Sequence, residues 1–329
     1  MKILVTGGEG FIGSNFIKYL LTDSEVKQNI QVINLDKQTY AARGKNINYM
    51  DIDKEGKYKF IKGDITDKNL VGKVFSESKP DLVFNFAAES HVDKSIEKSE
   101  DFIKTNIIGA TNLFDITRKF NVSKIIQIST DEVYGSIKKG SFKENSKLNP
   151  SNPYSSSKAS TDLIGLSYFN TYKLPIIITR SANNYGSYQF PEKLIPLFIT
   201  NLIEGKKVPL MGDKKNPSLN VRDWLHVEDN CRAIWFISQN GKEGEIYNVS
   251  GENEKTNMEL TELLLENFEV GKERVEYISH RLGHDFRYSI SNNKLKKLGF
   301  EYKHKNLDFE IKKVIDWYKK NKDWWSLLK

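Results

Sequence analysis

A strand that breaks into glycine and then into a helix constrains this chain more than any other feature. Lys2-Ile3-Leu4-Val5-Thr6 reads as a short buried strand, Gly7 to Gly13 follows at once, and Phe16, Ile17, Leu20 and Leu21 then recur at helical spacing. The glycines fit both G-x-G-x-x-G (Gly8, Gly10, Gly13) and G-x-x-G-x-x-G (Gly7, Gly10, Gly13). They permit a tight turn, bring backbone close to a pyrophosphate, and leave a helix N-terminus open to negative charge. A second apolar run, Gln31 to Leu35, ends in Asp36, 23 residues after Gly13. A carboxylate there accepts the ribose hydroxyls of NAD and repels a 2′-phosphate, so NAD is expected over NADP, with Lys37 and Arg43 as the counter-signals.

Further strand-like runs are expected over Tyr58–Ile65, Asp81–Ala88, Lys124–Thr130 and Leu174–Ala182, with helical patterns between them. This alternation predicts an α/β fold, a Rossmann-type doubly wound parallel sheet with a smaller C-terminal substrate-binding domain. Residues 1–182, with a returning segment near 222–250, are expected to form the cofactor domain, and 183–329 mainly the substrate domain. Ligands of such sheets bind beyond the carboxyl ends of the strands. Gly7, Asp36, Asp64, Ala88, Thr130 and Asn183 all fall at those ends.

Chemistry is expected where Ser129-Thr130-Asp131-Glu132-Val133-Tyr134-Gly135 is followed by Tyr154 and Lys158. A Tyr and a Lys four apart share one helix face, where an ammonium stabilises a phenolate. Bringing the phenol from its ordinary ~10 to about 7 takes roughly 4 kcal/mol, within reach of that cation plus a bound nicotinamide. The product is a base for a sugar or alcohol hydroxyl. Asp131 and Glu132 add a second acid/base pair that simple alcohol oxidation does not need.

Composition narrows the class. One cysteine, Cys231, excludes a disulfide framework and a Cys-based zinc site, and suits a reducing compartment. No apolar run reaches membrane-spanning length and the first residues do not read as a signal peptide, so a cytoplasmic protein is expected. Of the net charge of +7, residues 293–329 carry +6, with eleven lysines and five carboxylates. There Leu307, Ile311, Val314, Ile315 and Tyr318 form a helical stripe, so the lysines read as its solvated face and not as a nucleic-acid footprint. His226, His280 and His304 show no metal-ligand spacing, so no metal is expected. His91, Glu89 and the tail tryptophans Trp317, Trp324 and Trp325 read as packing or surface residues, and Arg222-Asp223 admits a local ion pair.

Over its full length the chain resembles the extended short-chain dehydrogenase/reductase superfamily, and within it the nucleoside-diphosphate-glucose 4,6-dehydratases. The carriers are Thr6 to Gly13, Ala87 to Ile96, Thr105-Asn106, Ser129 to Gly135, Tyr154 to Lys158, Asn183 to Gly186, Gln189 to Pro196, Val221 to Leu225 with Val227 to Asp229, and Gly283 to Asp285. The glycine motif and the Tyr-Lys pair are common to the superfamily, whereas Asp131-Glu132 is the narrower signal. The resemblance implies that Tyr154, with Lys158, deprotonates the 4-hydroxyl while NAD takes hydride from C4. Glu132 then removes the C5 proton, Asp131 protonates the departing 6-hydroxyl, and hydride returns to C6, with Thr130 positioning the 4-oxygen. Cofactor contacts implied are Gly7, Gly10, Phe11, Ile12, Gly13, Asp36, Asp64, Ile65, Phe86, Ala87, Ala88, Thr105, Tyr154, Lys158 and Asn184. Substrate contacts implied are Ser90, Asp93, Thr130, Asn183, Lys193, Leu194, Arg222, Asn257, Arg281 and His284. Arg222 is the expected phosphate grip. A homodimer through paired helices is also implied. The chain departs from the pattern in a longer 213–221 loop, in Leu282 where proline is usual, and in Tyr40-Ala41-Ala42-Arg43. These departures leave the nucleotide open between dTDP and UDP, with dTDP-glucose favoured. A 4-epimerase or decarboxylase, and a non-catalytic NAD-binding sensor, are the other readings.

Overall fold

The computed structural model describes residues 1–26, 28–42, 46–52, 56–213, 218–279 and 285–329. The first unit runs β1 (Lys2–Thr6), α1 (Phe11–Thr22), β2 (Gln31–Asp36), α2 (Asn46–Met50), β3 (Tyr58–Lys62), α3 (Lys68–Ser78) and β4 (Leu82–Asn85). Then come α4 (Val92–Glu97), α5 (Glu100–Phe102), a π-helical segment (Ile103–Gly109), α6 (Ala110–Lys119), β5 (Lys124–Thr130), α7 (Pro153–Tyr172) and β6 (Ile176–Ser181). The second half holds β7 (Asn183–Tyr185), α8 (Leu194–Ile203), β8 (Val208–Met211), β9 (Val221–His226), α9 (Val227–Asn240), β10 (Ile246–Val249) and β11 (Glu254–Thr256). It ends with α10 (Asn257–Asn267), β12 (Val275–Ile278), α11 (Asn293–Lys297), α12 (Leu307–Lys320) and α13 (Lys322–Trp325).

Seven strands form one parallel sheet in the order β10-β6-β5-β4-β1-β2-β3. All six expected strands are present, some shorter than their apolar runs. Burial on both faces explains the near-continuous Val, Ile and Leu of the central strands. Strand order reverses between β1 and β4, which opens the crevice above Gly7 and Ala87. One core face packs Phe16, Ile17, Cys231 and Trp235 of α1 and α9 on the sheet, and the other packs Val71, Phe75, Leu113 and Phe114 of α3 and α6.

A separate apolar cluster joins α8, α10 and α12, with Leu307, Ile311, Val314, Ile315 and Tyr318 buried as the helical stripe requires. Trp324 and Trp325 are packing residues at its end. The tail lysines face water and carboxylates: Lys294 pairs with Glu245, Lys296 with Glu252 and Lys303 with Glu25. No helix among the described residues is long and apolar enough to cross a membrane.

Candidate active site

The glycine turn is dictated by crowding. Gly7 has φ +72°, and a Cβ on it would stand 2.5 Å from the Ala87 nitrogen. A Cβ on Gly13 would meet the Gly7 carbonyl oxygen at 2.3 Å, so helix and strand approach only without side chains. The loop is braced from below. Gly8 N–H donates to Asn34 Oδ1 at 3.1 Å and Glu9 N–H to Asp36 Oδ2 at 2.9 Å. The Glu9 side chain is 3% exposed and accepts from Tyr58 Oη at 2.9 Å and Asn34 Nδ2 at 3.2 Å. Burial raises the Glu9 carboxyl above its ordinary range, with the Asp36 charge adding to the rise.

A cavity of about 330 Å³ opens above this turn and contains every residue expected at the cofactor. Along one wall run Gly7, Gly10 and Asp36, and beyond them Asp64, whose carboxylate pairs with Lys37 at 2.8 Å. Further along stand Thr130, Asp131, Glu132, Tyr154 and Lys158. An open α1 N-terminus, a side-chain-free approach at Gly7 and a carboxylate acceptor lining the cavity at Asp36 are features a dinucleotide site requires, so the residues present fit NAD.

Asn152 begins α7 with a reciprocal capping box to Ser155, and Pro153 follows in the first turn. A cap of this kind contributes about 1 kcal/mol and fixes where Tyr154 leaves the backbone. The π-helical segment brings buried Asn106 against the same helix: its Nδ2 donates to Ser157 Oγ at 2.8 Å and to the Glu89 carbonyl at 3.0 Å.

Tyr154 is not an activated base by virtue of the chain alone. Burial, then the neighbouring Glu132 charge, push its phenol up, while a hydrogen bond with Thr130 opposes them. Burial brings Lys158 down to about 8, and its Nζ donates to the Ile128 carbonyl at 2.6 Å. A bound oxidised nicotinamide would supply a second positive charge for the phenolate.

The two adjacent carboxyls, Asp131 and Glu132, differ in surroundings. Asp131 is 2% exposed, accepts from Thr130 Oγ1 at 3.2 Å, and leaves Oδ2 without a partner. Burial and the Glu132 charge hold its carboxyl well above the ordinary range, which favours the protonated form. Glu132 is more accessible and faces Tyr288 Oη at 3.5 Å. Tyr288 in turn donates to Asp285 at 2.7 Å, an arrangement that individual residues of the sequence did not signal.

Expected substrate contacts divide. Ser90, Thr130, Asn183 and Lys193 line the cavity; Asp93, Leu194, Arg222 and Asn257 do not. Leu194 opens α8 and packs into the apolar cluster, and Asn257 opens α10, 6% exposed, donating to Ser218. Arg222 is 5% exposed, with its guanidinium on the carbonyls of Val221 (2.7 Å) and Asp285 (3.0 Å) and over the Tyr288 ring at 4.3 Å. Its charge lowers the Asp131 carboxyl against the effect of burial. Asp223 organises the 250–253 turn, accepting from Ser250, Gly251 and Asn253, and is not a partner for Arg222 as a local pair would require. Arg281 and His284, like Arg43 and positions 214–217 of the longer loop, lie outside the described residues.

Glu89, Gln189, Phe190 and Glu192 also line the cavity and were not expected there. Glu192 spans its mouth, accepting from Tyr40 Oη at 3.1 Å and approaching His91 Nε2 at 3.5 Å. His91 itself caps α4. Away from the cavity, His226, His304 and Glu310 come within 4.8 Å of one another, a proximity that sequence spacing concealed. The imidazoles stack face to face at 4.1 Å and 22°, whereas two ligands of one ion turn their ring edges toward it. His226 Nδ1 accepts the Glu228 N–H at 3.3 Å, and His304 stands between Glu228 (3.1 Å) and Glu310 (3.2 Å). The flanking carboxylates raise the proton affinity of His304 against its burial.

Comparison with known proteins agrees with this geometry. The family model described as GDP-mannose 4,6 dehydratase matches residues 4–309. A dTDP-glucose 4,6-dehydratase of Streptomyces antibioticus is 44% identical over 334 residues, covering 100% of this chain and 96% of that relative. A crystal structure of the dTDP-glucose 4,6-dehydratase of Streptomyces venezuelae, with NAD bound, superposes with a TM-score of 0.95 at 42% identity, covering 100% of both chains. The UDP-glucose 4-epimerase of Thermotoga maritima is more distant, at TM-score 0.87 and 30% identity over 97% of this chain and 99% of that one.

Proposed function

The chain belongs to the GDP-mannose 4,6 dehydratase family, and from that premise we propose that it is an NAD-dependent hydro-lyase converting dTDP-glucose to the 4-keto-6-deoxy sugar. The observation that carries this reading is the Asp131–Glu132 pair at the cavity wall, one carboxyl buried and the other more accessible, beside Thr130, Tyr154 and Lys158. An epimerase needs only the Tyr-Lys half of that set.

NAD, when bound, supplies the acceptor for the C4 hydride and the donor that returns it to C6. Tyr154 takes the proton of the 4-hydroxyl, and the Lys158 ammonium stabilises the phenolate it passes through. Thr130 holds the 4-oxygen. Once C4 is a ketone the C5 proton is acidic, and Glu132, the accessible carboxylate, removes it. Asp131 gives its proton to the departing 6-hydroxyl, water leaves, and Glu132 returns its proton to C5 as C6 is reduced. Base and acid are neighbours whose surroundings differ in burial, as the two roles demand.

On this reading residues 1–182 with the 222–250 segment hold the cofactor, and 183–329 mainly the nucleotide sugar. Ser90, Asn183 and Lys193 meet the substrate at the cavity wall. Two copies pair through the helices beside the site, an arrangement supported by Ile103, Ile108 and Leu163, 48%, 50% and 58% exposed on the π-helical segment and α7. A cytoplasmic location is supported by the single cysteine, Cys231, a free thiol.

The test is a competition between dTDP-glucose and UDP-glucose, each deuterated at C4, followed by mass spectrometry. Loss of water with deuterium at C6 is expected, faster from dTDP-glucose. Faster UDP-glucose turnover reassigns the nucleotide. Isomerisation without water loss overturns the dehydratase reading.

A further inference from the structure

Behind Lys158 lies a buried carboxylate that the reaction above does not use. Tyr154, Lys158 and Asp162 follow one another at four-residue steps on α7, so they share a face. Asp162 is 0% exposed. Its Oδ2 accepts from Arg180 Nε of β6 at 2.8 Å and from Ser129 Oγ of β5 at 3.0 Å, while Oδ1 makes no hydrogen bond. Arg180 is itself 1% exposed and lies over the Tyr134 ring at 4.7 Å. One buried carboxylate thus holds the Arg180 guanidinium and lies one helical turn from the buried Lys158.

We propose that Asp162, anchored by Arg180 and Ser129, is a positioning residue for the Tyr154–Lys158 pair: it supplies the negative charge that keeps Lys158 an ammonium beneath the reacting phenol. The proposal rests on Tyr154 being the base for the 4-hydroxyl. The surroundings leave Asp162 that task. On α7, Lys158 lies one turn from both Tyr154 and Asp162, and the Asp162 charge acts on it; from β5 its Nζ meets the Ile128 carbonyl; from β6, Arg180 holds Asp162. Opposite Tyr154 stand Glu132, whose negative charge opposes a phenolate, and the Asp131 carboxyl. Without Asp162 two cations share an apolar interior, and only one can shed its proton. Arg cannot, so Lys158 does. The phenolate then loses its stabilising neighbour.

The sign of one shift separates this role from a structural one. Asp162 is itself a negative charge near Tyr154 and disfavours the phenolate directly. If Asp162 only braces the fold, Asp162→Asn leaves Lys158 charged and Tyr154 titrates at the same or a lower pH. If it maintains the ammonium, Tyr154 titrates higher. NAD-loaded protein is titrated by its near-ultraviolet phenolate absorbance, with Tyr154→Phe marking the band. An upward move of about one pH unit or more is expected for Asp162→Asn, equivalent to roughly a tenfold loss of phenolate. An unchanged or downward midpoint overturns the proposal. Should Asp162→Asn not fold, the comparison is made between Arg180→Met and Arg180→Met/Asp162→Asn, where the second change removes a charge with no guanidinium left uncompensated; the same signs decide. Turnover gives a second readout, the alkaline limb of kcat moving to lower pH in Asp162→Asn. The titration needs no sugar, so it stands or falls even if dTDP-glucose proves not to be the substrate.

Discussion

Asp131 and Glu132 are adjacent in sequence, yet the 3-10 turn that follows β5 buries one and leaves the other facing the cavity. Their substitutions should therefore separate. Glu132→Gln removes the base for C5 while leaving Tyr154 and Lys158 in place. C4 oxidation should persist and water loss fall by about 10²–10⁴, the usual worth of a positioned acid or base, as read by product mass and the label at C4. Asp131→Asn should abolish elimination in the same assay without weakening the fold. Burial raises the Asp131 carboxyl above its unfolded value, so its contribution to stability is fully present below about 4 and lost as pH rises through the folded value. At pH 7 the carboxyl costs stability. Asp131→Asn should melt at or above the parent temperature there, with the advantage vanishing in acid. A lower melting temperature at pH 7 would mean that Asp131 is held as a carboxylate.

At the scale of elements, the glycine turn is stabilised by groups that come from other strands. Glu9 sits inside the motif, but its partners Asn34 and Tyr58 lie on β2 and β3, and its carbonyl accepts from Asn46 Nδ2 of α2 at 3.4 Å. Asn46 Oδ1 in turn accepts the Trp324 indole N–H of α13 at 3.1 Å. Glu9→Ala removes the carboxylate that accepts from the Tyr58 hydroxyl and shares the Asn34 amide with Tyr58 Oη, a cost of about 1–3 kcal/mol. The purified variant should carry less NAD and melt lower, measured by cofactor release and calorimetry. A second junction joins β9, α9 and α12 through His304. Burial alone would depress this imidazolium, but Glu228, Asp229 and Glu310 overcome it and raise its proton affinity. Its stabilisation is therefore complete below about 6.5 and fades as pH rises through the folded value. The melting-temperature gap between parent and His304→Gln should be widest near pH 6 and close on the alkaline side. Strands, glycine turn and the Asp-Glu and Tyr-Lys pairs were legible in the sequence, because each is a local spacing that maps onto one turn or one helix face. The Glu9 brace, the His226–His304 stack and the inward turn of Arg222 were not. Their partners are tens of residues away and meet only through sheet order and the packing of α12.

The molecule as a whole places its chemistry and an uncovered apolar face on opposite sides of one helix. Tyr154, Lys158 and Asp162 point α7 toward the sheet, while Leu163 of the same helix is 58% exposed beside Ile103 and Ile108. Isolated exposed apolar residues are ordinary, but three on two packed segments are the kind of patch a partner covers. A second copy would bury this face and restrain α7 and the π-helical segment together, the two segments that fix Tyr154, Thr105 and Asn106. Pairing should then support kcat more than substrate binding. Ile108→Glu/Leu163→Glu places charge on that face without touching the cavity. Analytical ultracentrifugation should show a monomer with native circular dichroism, and turnover should fall mainly in kcat. A dimer that persists in this variant would exclude the face as the interface. A monomer with undiminished kcat would show that α7 holds its geometry unaided, and that the capping box and the Asp162–Arg180 anchor suffice.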